Sequence, residues 1–247
     1  MIRMDNSLQH LEEFKKILAD YHISNQSKTI LARTKLALLL APSGGGRNTL
    51  IRELVKTGKY HFIVSDTTRK PRVNDGIAEK NGVEYWFRTE QEILADLEAG
   101  KFLEAELIHG QQVSGISIRE LQKAQDENRI AITDVDMGGL HNIVQAVPDI
   151  TAVLVLPPSF EEWQRRMLNR GEMTVSEHKR RLETAIKIFS MALEHSYFKF
   201  VINDKLEHAV EQIQALTHKQ VNTDQQQKDR VLTKRLITDT QNWLKTN

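Results

Sequence analysis

The chain has no cysteine, which excludes disulfide scaffolding, thiol nucleophiles and thiolate metal sites and fits a reducing compartment. It also lacks an excess of charge of one sign: 34 basic and 33 acidic side chains leave a formal charge of +1. Nothing global therefore favours nucleic acid or an anionic membrane as partner, and any anion site must be local. Long hydrophobic runs are missing too. The longest, Leu36 to Pro42, is too short to span a bilayer, and Met1 to Asp20 has no uninterrupted apolar stretch of the signal-peptide kind. A cytoplasmic protein is expected. Nine histidines are present, but none forms an H-x₃-H or H-E-x-x-H pair, so no metal ligand is assigned to histidine. No internal repeat is found.

What is present is ordinary globular composition, 40% apolar and 27% charged over 247 residues, enough for one domain of about 180 to 200 residues with appendages. Leu8, Leu11, Phe14, Ile17, Leu18 and Tyr21 recur at helical spacing behind Ser7 as N-cap, predicting an N-terminal helical extension over 1–29. His22 to Lys28 reads as a turn. From there short apolar β-rich runs alternate with helical patterns. Leu36–Leu40, Tyr60–Ser65, Tyr85–Phe87, Phe102–Ile108, Ile130–Thr133, Ala152–Leu156 and Phe200–Ile202 read as strands, and Val73 to Gly82 as a loop. This alternation predicts an α/β fold with a parallel central sheet. Ser159 to His195 is helical and basic, broken near Gly171; Lys219 to Lys228 reads as a polar linker. Arg230 to Lys245 carries Val231, Leu232, Leu236, Ile237, Trp243 and Leu244 on an irregular apolar stripe. The terminal helices either cover the core or mediate self-association.

Ala41-Pro-Ser43-Gly44-Gly45-Gly46-Arg47-Asn48-Thr49-Leu50 follows a strand and opens a helix, the layout of a loop whose backbone N–H groups surround phosphate. Of the motif G-x-x-x-x-G-K-[ST], only Gly46 matches strictly. Ala41 stands at the first glycine, Arg47 at the lysine and Asn48 at the hydroxyl that binds Mg²⁺. Arg47 keeps the charge on a larger planar group, Asn48 offers an amide oxygen to Mg²⁺, and Thr49 is an adjacent substitute. The plainer reading is a glycine-rich turn. Further on, Ser65-Asp-Thr-Thr-Arg69-Lys-Pro-Arg72 places two arginines three apart on an irregular segment, where both can converge on one phosphate.

Together these segments resemble the guanylate kinases, in which G-P-S-G-x-G-K-S-T is followed by S-x-T-T-R-x-P-R. The resemblance extends over roughly Leu36 to Leu216 in unbroken order. It implies a P-loop NTPase-like three-layer sandwich over 30–216, with a small nucleoside-monophosphate-binding, β-containing insertion about 66–117 and a helical lid about 159–195. Residues 217–247 would then be a linker and a C-terminal amphipathic helix. By the same resemblance GMP is held by Ser65, Arg69, Arg72, Glu79 and Tyr85. Glu104, in Phe102-Leu-Glu104, faces guanine, while Asp134 and Asp136 of Asp134-Val-Asp136-Met-Gly-Gly139, counted with the GMP-binding residues, sit between base recognition and the metal-bound phosphates. The family's Y-Y-G-[TS] is replaced by Gln112-Val-Ser-Gly-Ile-Ser117, leaving Ser114 or Ser117 as partial replacements. Pro157-Pro-Ser159, Arg166, Arg170-Gly171 and Arg181-Leu182 match the lid, whose arginines reach the transferring phosphoryl group. Asn203 of Phe200-Val-Ile-Asn-Asp204 lies near the adenine. The loop residues Ser43 to Thr49 bind the ATP phosphates, with Arg47, Arg166, Arg170 and Arg181 in the catalytic role.

The implied function is transfer of the γ-phosphoryl group of ATP to GMP with Mg²⁺, the partners being ATP and GMP, with no nucleic acid and no membrane. Two alternatives stay beside it. The departures at Ala41, Arg47 and Asn48 suit a weak or inactive nucleotide- or protein-binding module, and the altered 112–117 segment suits a kinase with another acceptor. Phe160 and Trp163 are read as packing groups of the lid helix.

Overall fold

The computed structural model describes residues 8–74, 76–135, 137, 140, 143–144, 147, 150–169 and 173–247. The expected Ser7 cap, Asp136, Gly138, Gly139, Arg170 and Gly171 lie outside the described residues. The chain divides into two compact units, Met1–Lys35 with His61–Ala131 and Gly138–Asp149, and Leu36–Tyr60 with Ile132–Met137 and Ile150–Asn247. No described helix is long and apolar enough to cross a membrane.

The second unit carries most of the central sheet. The strands of that sheet are β1 (Leu36–Leu40), β2 (Tyr60–Phe62), β9 (Ile130–Asp134), β10 (Ile150–Leu156) and β11 (Phe198–Ile202), in the order β11-β10-β1-β9-β2. β1, β10 and β11 run parallel, with Leu38 opposite Ala152 and Leu154 opposite Phe200. Every residue of β1 is buried, as the continuous apolar run predicts for a strand covered on both faces. The helices are α3 (Arg47–Lys56), α6 (Phe160–Leu168), α7 (Val175–Glu194), α8 (Leu206–Thr217) and α9 (Thr223–Thr246). Ser159 and Thr174 cap α6 and α7 by accepting from the amides of Glu162 and Glu177. The expected α/β fold with a parallel central sheet is what the chain adopts.

The end of the chain differs from the expectation. Asn222 caps α9 by accepting from the Gln225 amide, so most of the glutamine-rich stretch read as linker is helix. The face α9 buries is mixed: Asp229, Thr233, Leu236 and Thr240 are inside, Leu232, Ile237, Trp243 and Leu244 of the apolar stripe are half-buried, and Val231 is exposed. The buried threonine hydroxyls donate to the carbonyls one turn back, Asp229 O and Leu236 O, which removes the cost of burying them. Gln226 bonds both the N–H and the C=O of Phe200, each at 2.8 Å, and so closes the edge of β11.

The first unit holds a four-stranded sheet in the order β6-β3-β8-β7, made of β3 (Asp66–Thr67), β6 (Trp86–Phe87), β7 (Phe102–Ile108) and β8 (Gln112–Ser117). β8 was not anticipated. It pairs antiparallel with β7 across the His109-Gly110 turn, where both residues have positive φ. A register shift between Phe102 and Glu104 leaves Ala105 and Leu107 packed with Phe102 on the core, against Phe14, Ile93, Leu97 and Val113. The segment read as a loop after Arg72 contains the hairpin β4 (Val73–Asn74) and β5 (Ile77–Ala78). The helices here are α1 (Leu11–Ala19), α2 (Asn25–Leu31), α4 (Glu90–Glu98) and α5 (Ile118–Asp126). α2 replaces the expected turn, because the Ser24 hydroxyl accepts from the Ser27 amide and starts a helix. Tyr21 Oη both accepts from Phe102 N–H (2.7 Å) and donates to Phe102 C=O (2.8 Å), fixing the N-terminal segment to β7. Ser24 N–H and Ser27 Oγ then bond the Gly100 carbonyl. Gly100 has φ +63°, and a Cβ there would meet the Ser24 nitrogen at 2.5 Å, so only glycine closes α4 this tightly.

Candidate active site

In the second unit the loop between β1 and α3 takes the shape its glycines permit. Gly44 (φ +84°) and Gly46 (φ +90°) adopt left-handed backbone, and Gly45 N–H turns back to Pro42 O at 2.9 Å. Ala41 at the first glycine position does not have positive φ, so its methyl group is tolerated. A Cβ on Gly45 would lie 3.0 Å from that of Ala41 and 3.1 Å from Pro42 O, so a larger residue at 45 would have to push its neighbours by a few tenths of an ångström. Gly46 is the N-cap of α3 and offers no side chain to its first turn, leaving amides and the positive end of the helix dipole for an anion.

Side chains from three other segments grip this loop. Trp163 Nε1 donates to Ser43 O at 2.7 Å, and Arg181 Nη1 to Ser43 Oγ at 3.3 Å. Asn203, nearly buried, donates through Nδ2 to Gly45 O at 2.9 Å, while its own carbonyl accepts from Arg166 Nη1 at 2.9 Å. Both arginines are steered by a glutamate four residues earlier: Arg166 Nε bonds Glu162 at 2.7 Å and Arg181 Nε bonds Glu177 at 2.8 Å. Bonds from Arg165 and Arg166 hold the Glu162 carboxyl down at about 2. The repeated pattern Glu-x-x-Arg-Arg, at Glu162 to Arg166 and Glu177 to Arg181, was the signal for this pairing that the sequence reading passed over.

Arg47 is ion-paired with Asp134 at the end of β9, and its Nε reaches Asn48 Oδ1 at 3.3 Å. Asp134, expected between base recognition and the metal-bound phosphates, stands against the loop arginine. Thr49 Oγ1 accepts from Arg52 Nη2 at 3.4 Å. By their chemistry the amide oxygen of Asn48, an exposed residue on the first turn of α3, and the Thr49 hydroxyl fit a hard cation such as Mg²⁺. Among the described residues no group of three or more His, Asp or Glu gathers to cage a metal.

In the first unit the arginine segment is built around Glu79. Its carboxylate takes both terminal nitrogens of Arg69, at 2.5 and 2.9 Å, and accepts from Arg72 N–H at 2.8 Å. Arg69 and then the Arg72 amide hold the Glu79 carboxyl down at about 2. The Arg69 guanidinium also lies over the Tyr85 ring at 4.6 Å and the Phe87 ring at 5.5 Å. Four of the expected acceptor residues, Arg69, Arg72, Glu79 and Tyr85, therefore meet, with the Glu79 carboxylate occupied by its own neighbours. The Arg72 side chain is exposed. Ser65 is half-buried and accepts from Trp86 N–H through its carbonyl. Ser114 Oγ donates to Thr67 Oγ1 at 2.8 Å, and Ser117 caps α5, so Ser117 is a structural residue. Glu104, half-buried on β7, lines a cavity of about 530 Å³ with Asp20, Tyr21, His22 and Glu106.

A support beneath these residues escaped the sequence reading. Asp66 is fully buried between Arg88 (3.0 Å) and Arg119 (3.1 Å); burial raises its carboxyl against the pull of both arginines. Glu120 accepts from His61 Nε2 (3.1 Å), Val64 N–H (3.3 Å) and Trp86 Nε1 (3.1 Å). Nothing in the local sequence pairs residues 20 to 60 positions apart.

A family model described as guanylate kinase matches residues 33–220. The chain belongs to the guanylate kinase family. It is 33% identical over 190 residues to a guanylate kinase of Synechococcus sp. (strain JA-3-3Ab), covering 75% of this chain and 83% of that protein. Another relative, a guanylate kinase of Porphyromonas gingivalis, is 34% identical over 183 residues, covering 73% of this chain and 94% of its own length. A guanylate kinase of Schizosaccharomyces pombe is 32% identical over 193 residues, with 77% and 93% covered. The crystal structure of guanylate kinase from Anaplasma phagocytophilum superposes with a TM-score of 0.53 at 23% identity, covering 77% of this chain and 87% of that one, and so shares the fold. In this guanylate kinase family member the glycine loop has left-handed backbone at Gly44 and Gly46, while Ala41, Arg47 and Asn48 depart from the motif.

Proposed function

We propose that this chain transfers the γ-phosphoryl group of ATP to GMP, giving ADP and GDP. The observation that carries the reading is a left-handed glycine loop opening α3, supported by an arginine held bidentately by Glu79 over Tyr85; both are read as phosphate sites. Loop amides and Arg47 receive the ATP phosphates, and Arg166 and Arg181 supply charge to the transferring group. No covalent intermediate is required, since positioning and electrostatics lower the barrier for phosphoryl transfer. Asn48 Oδ1 and Thr49 Oγ1 are the oxygens that would hold Mg²⁺ arriving with ATP, the cation neutralising phosphate charge.

On the acceptor side, Ser65, Arg69, Arg72 and Tyr85 bind the GMP phosphate. Glu79 keeps Arg69 in place rather than contacting the nucleotide, and Glu104 accepts from the guanine ring N–H and exocyclic amine. Asp134 orients Arg47, and Asn203 shapes the loop.

The test is ADP formation by the purified protein with ATP, Mg²⁺ and a panel of nucleoside monophosphates. Turnover confined to GMP is expected. Turnover with another acceptor, or GMP binding with no ADP formed, would overturn the reading.

A further inference from the structure

We propose that Trp163 is a positioning residue of the donor loop, its indole N–H aiming the loop amides that receive the ATP phosphates. The inference rests on the reading of this loop as the ATP site, and its basis is geometric. Trp163 is fully buried, and its Nε1 lies 2.7 Å from Ser43 O. Because a trans peptide is planar, the C=O of Ser43 and the N–H of Gly44 point in opposite directions, and no described peptide is cis. Pinning the carbonyl to the indole therefore turns the Gly44 N–H away from α6. Asn203 does the same two peptides on: its bond to Gly45 O fixes the direction of Gly46 N–H.

The indole is itself held. Its ring stands edge-on to Phe160 and Phe189, with centroids 6.0 and 5.7 Å away, so the N–H has little freedom to leave the carbonyl. α6 also backs the loop sterically: a Cβ on Gly44 would meet Met167 Cγ at 2.9 Å and Trp163 Cδ1 at 3.5 Å. One turn further along the same helix, Arg166 holds the backbone of Asn203. A single helix thus governs both clamped carbonyls.

The arrangement matters more here than in a loop with the full motif. With Ala41, Arg47 and Asn48 in place of glycine, lysine and hydroxyl, backbone amides carry a larger share of phosphate recognition, and amides bind only along their N–H direction.

The test compares Trp163→Phe, which keeps apolar bulk and loses the N–H, with a protein carrying 3-benzothienylalanine at position 163, which keeps the bicyclic shape and replaces N–H by sulfur. Affinity for MgATP is measured by direct titration, independent of turnover, alongside KM for ATP and for GMP. Loss of one buried hydrogen bond predicts ATP affinity weakened roughly five- to tenfold in both variants, with KM for GMP within about twofold of the parent. If the benzothienyl protein binds ATP as the parent does, shape alone matters and the inference fails. Equal weakening toward ATP and GMP, or a loss of folded protein with both KM values unchanged, overturns it as well. A parent protein that binds ATP but forms no GDP would refute the proposed activity while leaving this comparison intact; a parent that binds no ATP removes the donor-loop reading on which both stand.

Discussion

Glu120 is 2% exposed and takes three donors on one carboxylate, from His61, Val64 and Trp86. Val64 precedes Ser65 and Trp86 follows Tyr85, so this one side chain ties together two stretches that carry acceptor residues. Glu120→Ala leaves an imidazole, an amide and an indole N–H without their acceptor; removing one partner of such a buried charged cluster costs about 3–5 kcal/mol. Glu120→Gln keeps one oxygen and sets an NH₂ against a donor, for about 1–3 kcal/mol. With a urea dependence of roughly 2 kcal/mol per molar, the alanine variant should unfold about 1.5–2.5 M earlier. Equilibrium urea unfolding followed by circular dichroism reads this directly, and GMP titration should show weaker binding with ATP binding kept. The pH dependence has a definite sign. Burial would raise the Glu120 carboxyl, but the bonds from His61, Val64 and Trp86 outweigh it and hold it below its ordinary 4.5. Its contribution is therefore complete above about pH 4.5 and is lost as the pH falls through the lower folded value; neither variant should show that component. A Glu120→Ala protein within about 0.5 kcal/mol of the parent, the range of an inert surface change, would refute the reasoning.

Two further outcomes follow from the phosphate sites. Arg47→Ala should lower kcat by about 10²–10³, the usual effect of removing one donor from a transferring group, with GMP affinity kept; unchanged turnover would separate Arg47 from catalysis. Arg69→Ala should weaken GMP binding by roughly 10- to 100-fold, as expected for a charged hydrogen bond of about 1.5–3 kcal/mol, measured by calorimetric titration; unaltered affinity would remove Arg69 from the acceptor site.

The sequence was most legible where one residue type has one structural use. The run Leu36–Leu40 ending in Ala-Pro-Ser-Gly-Gly-Gly was readable as strand and tight glycine loop because apolar continuity and φ-permissive glycines act locally. Strand–helix alternation was readable for the same reason. Legibility failed where a polar segment closed on itself. α2 and the start of α9 depend on Ser24 and Asn222 capping amides three residues on, and the β4–β5 hairpin, with Val73 and Ile77 exposed, has no buried face to leave an alternating pattern.

For the site, the side-chain inventory came from sequence and the roles from contacts. Arg69 and Tyr85 were singled out by the sequence and do meet, but that Glu79 is taken up by Arg69 and the Arg72 amide is a matter of which groups meet. Trp163 looked like packing because a buried indole usually is; its N–H partner lies 120 residues earlier. By itself, then, the sequence determined the α/β fold, the glycine loop and the arginine pair, since these rest on backbone freedom and short-range spacing. Only the tertiary structure decided that Asp134 faces Arg47, that Glu120 braces the acceptor strands and that α6 and Asn203 aim the loop. Those are hydrogen bonds between distant segments, and chain order carries no direct record of them.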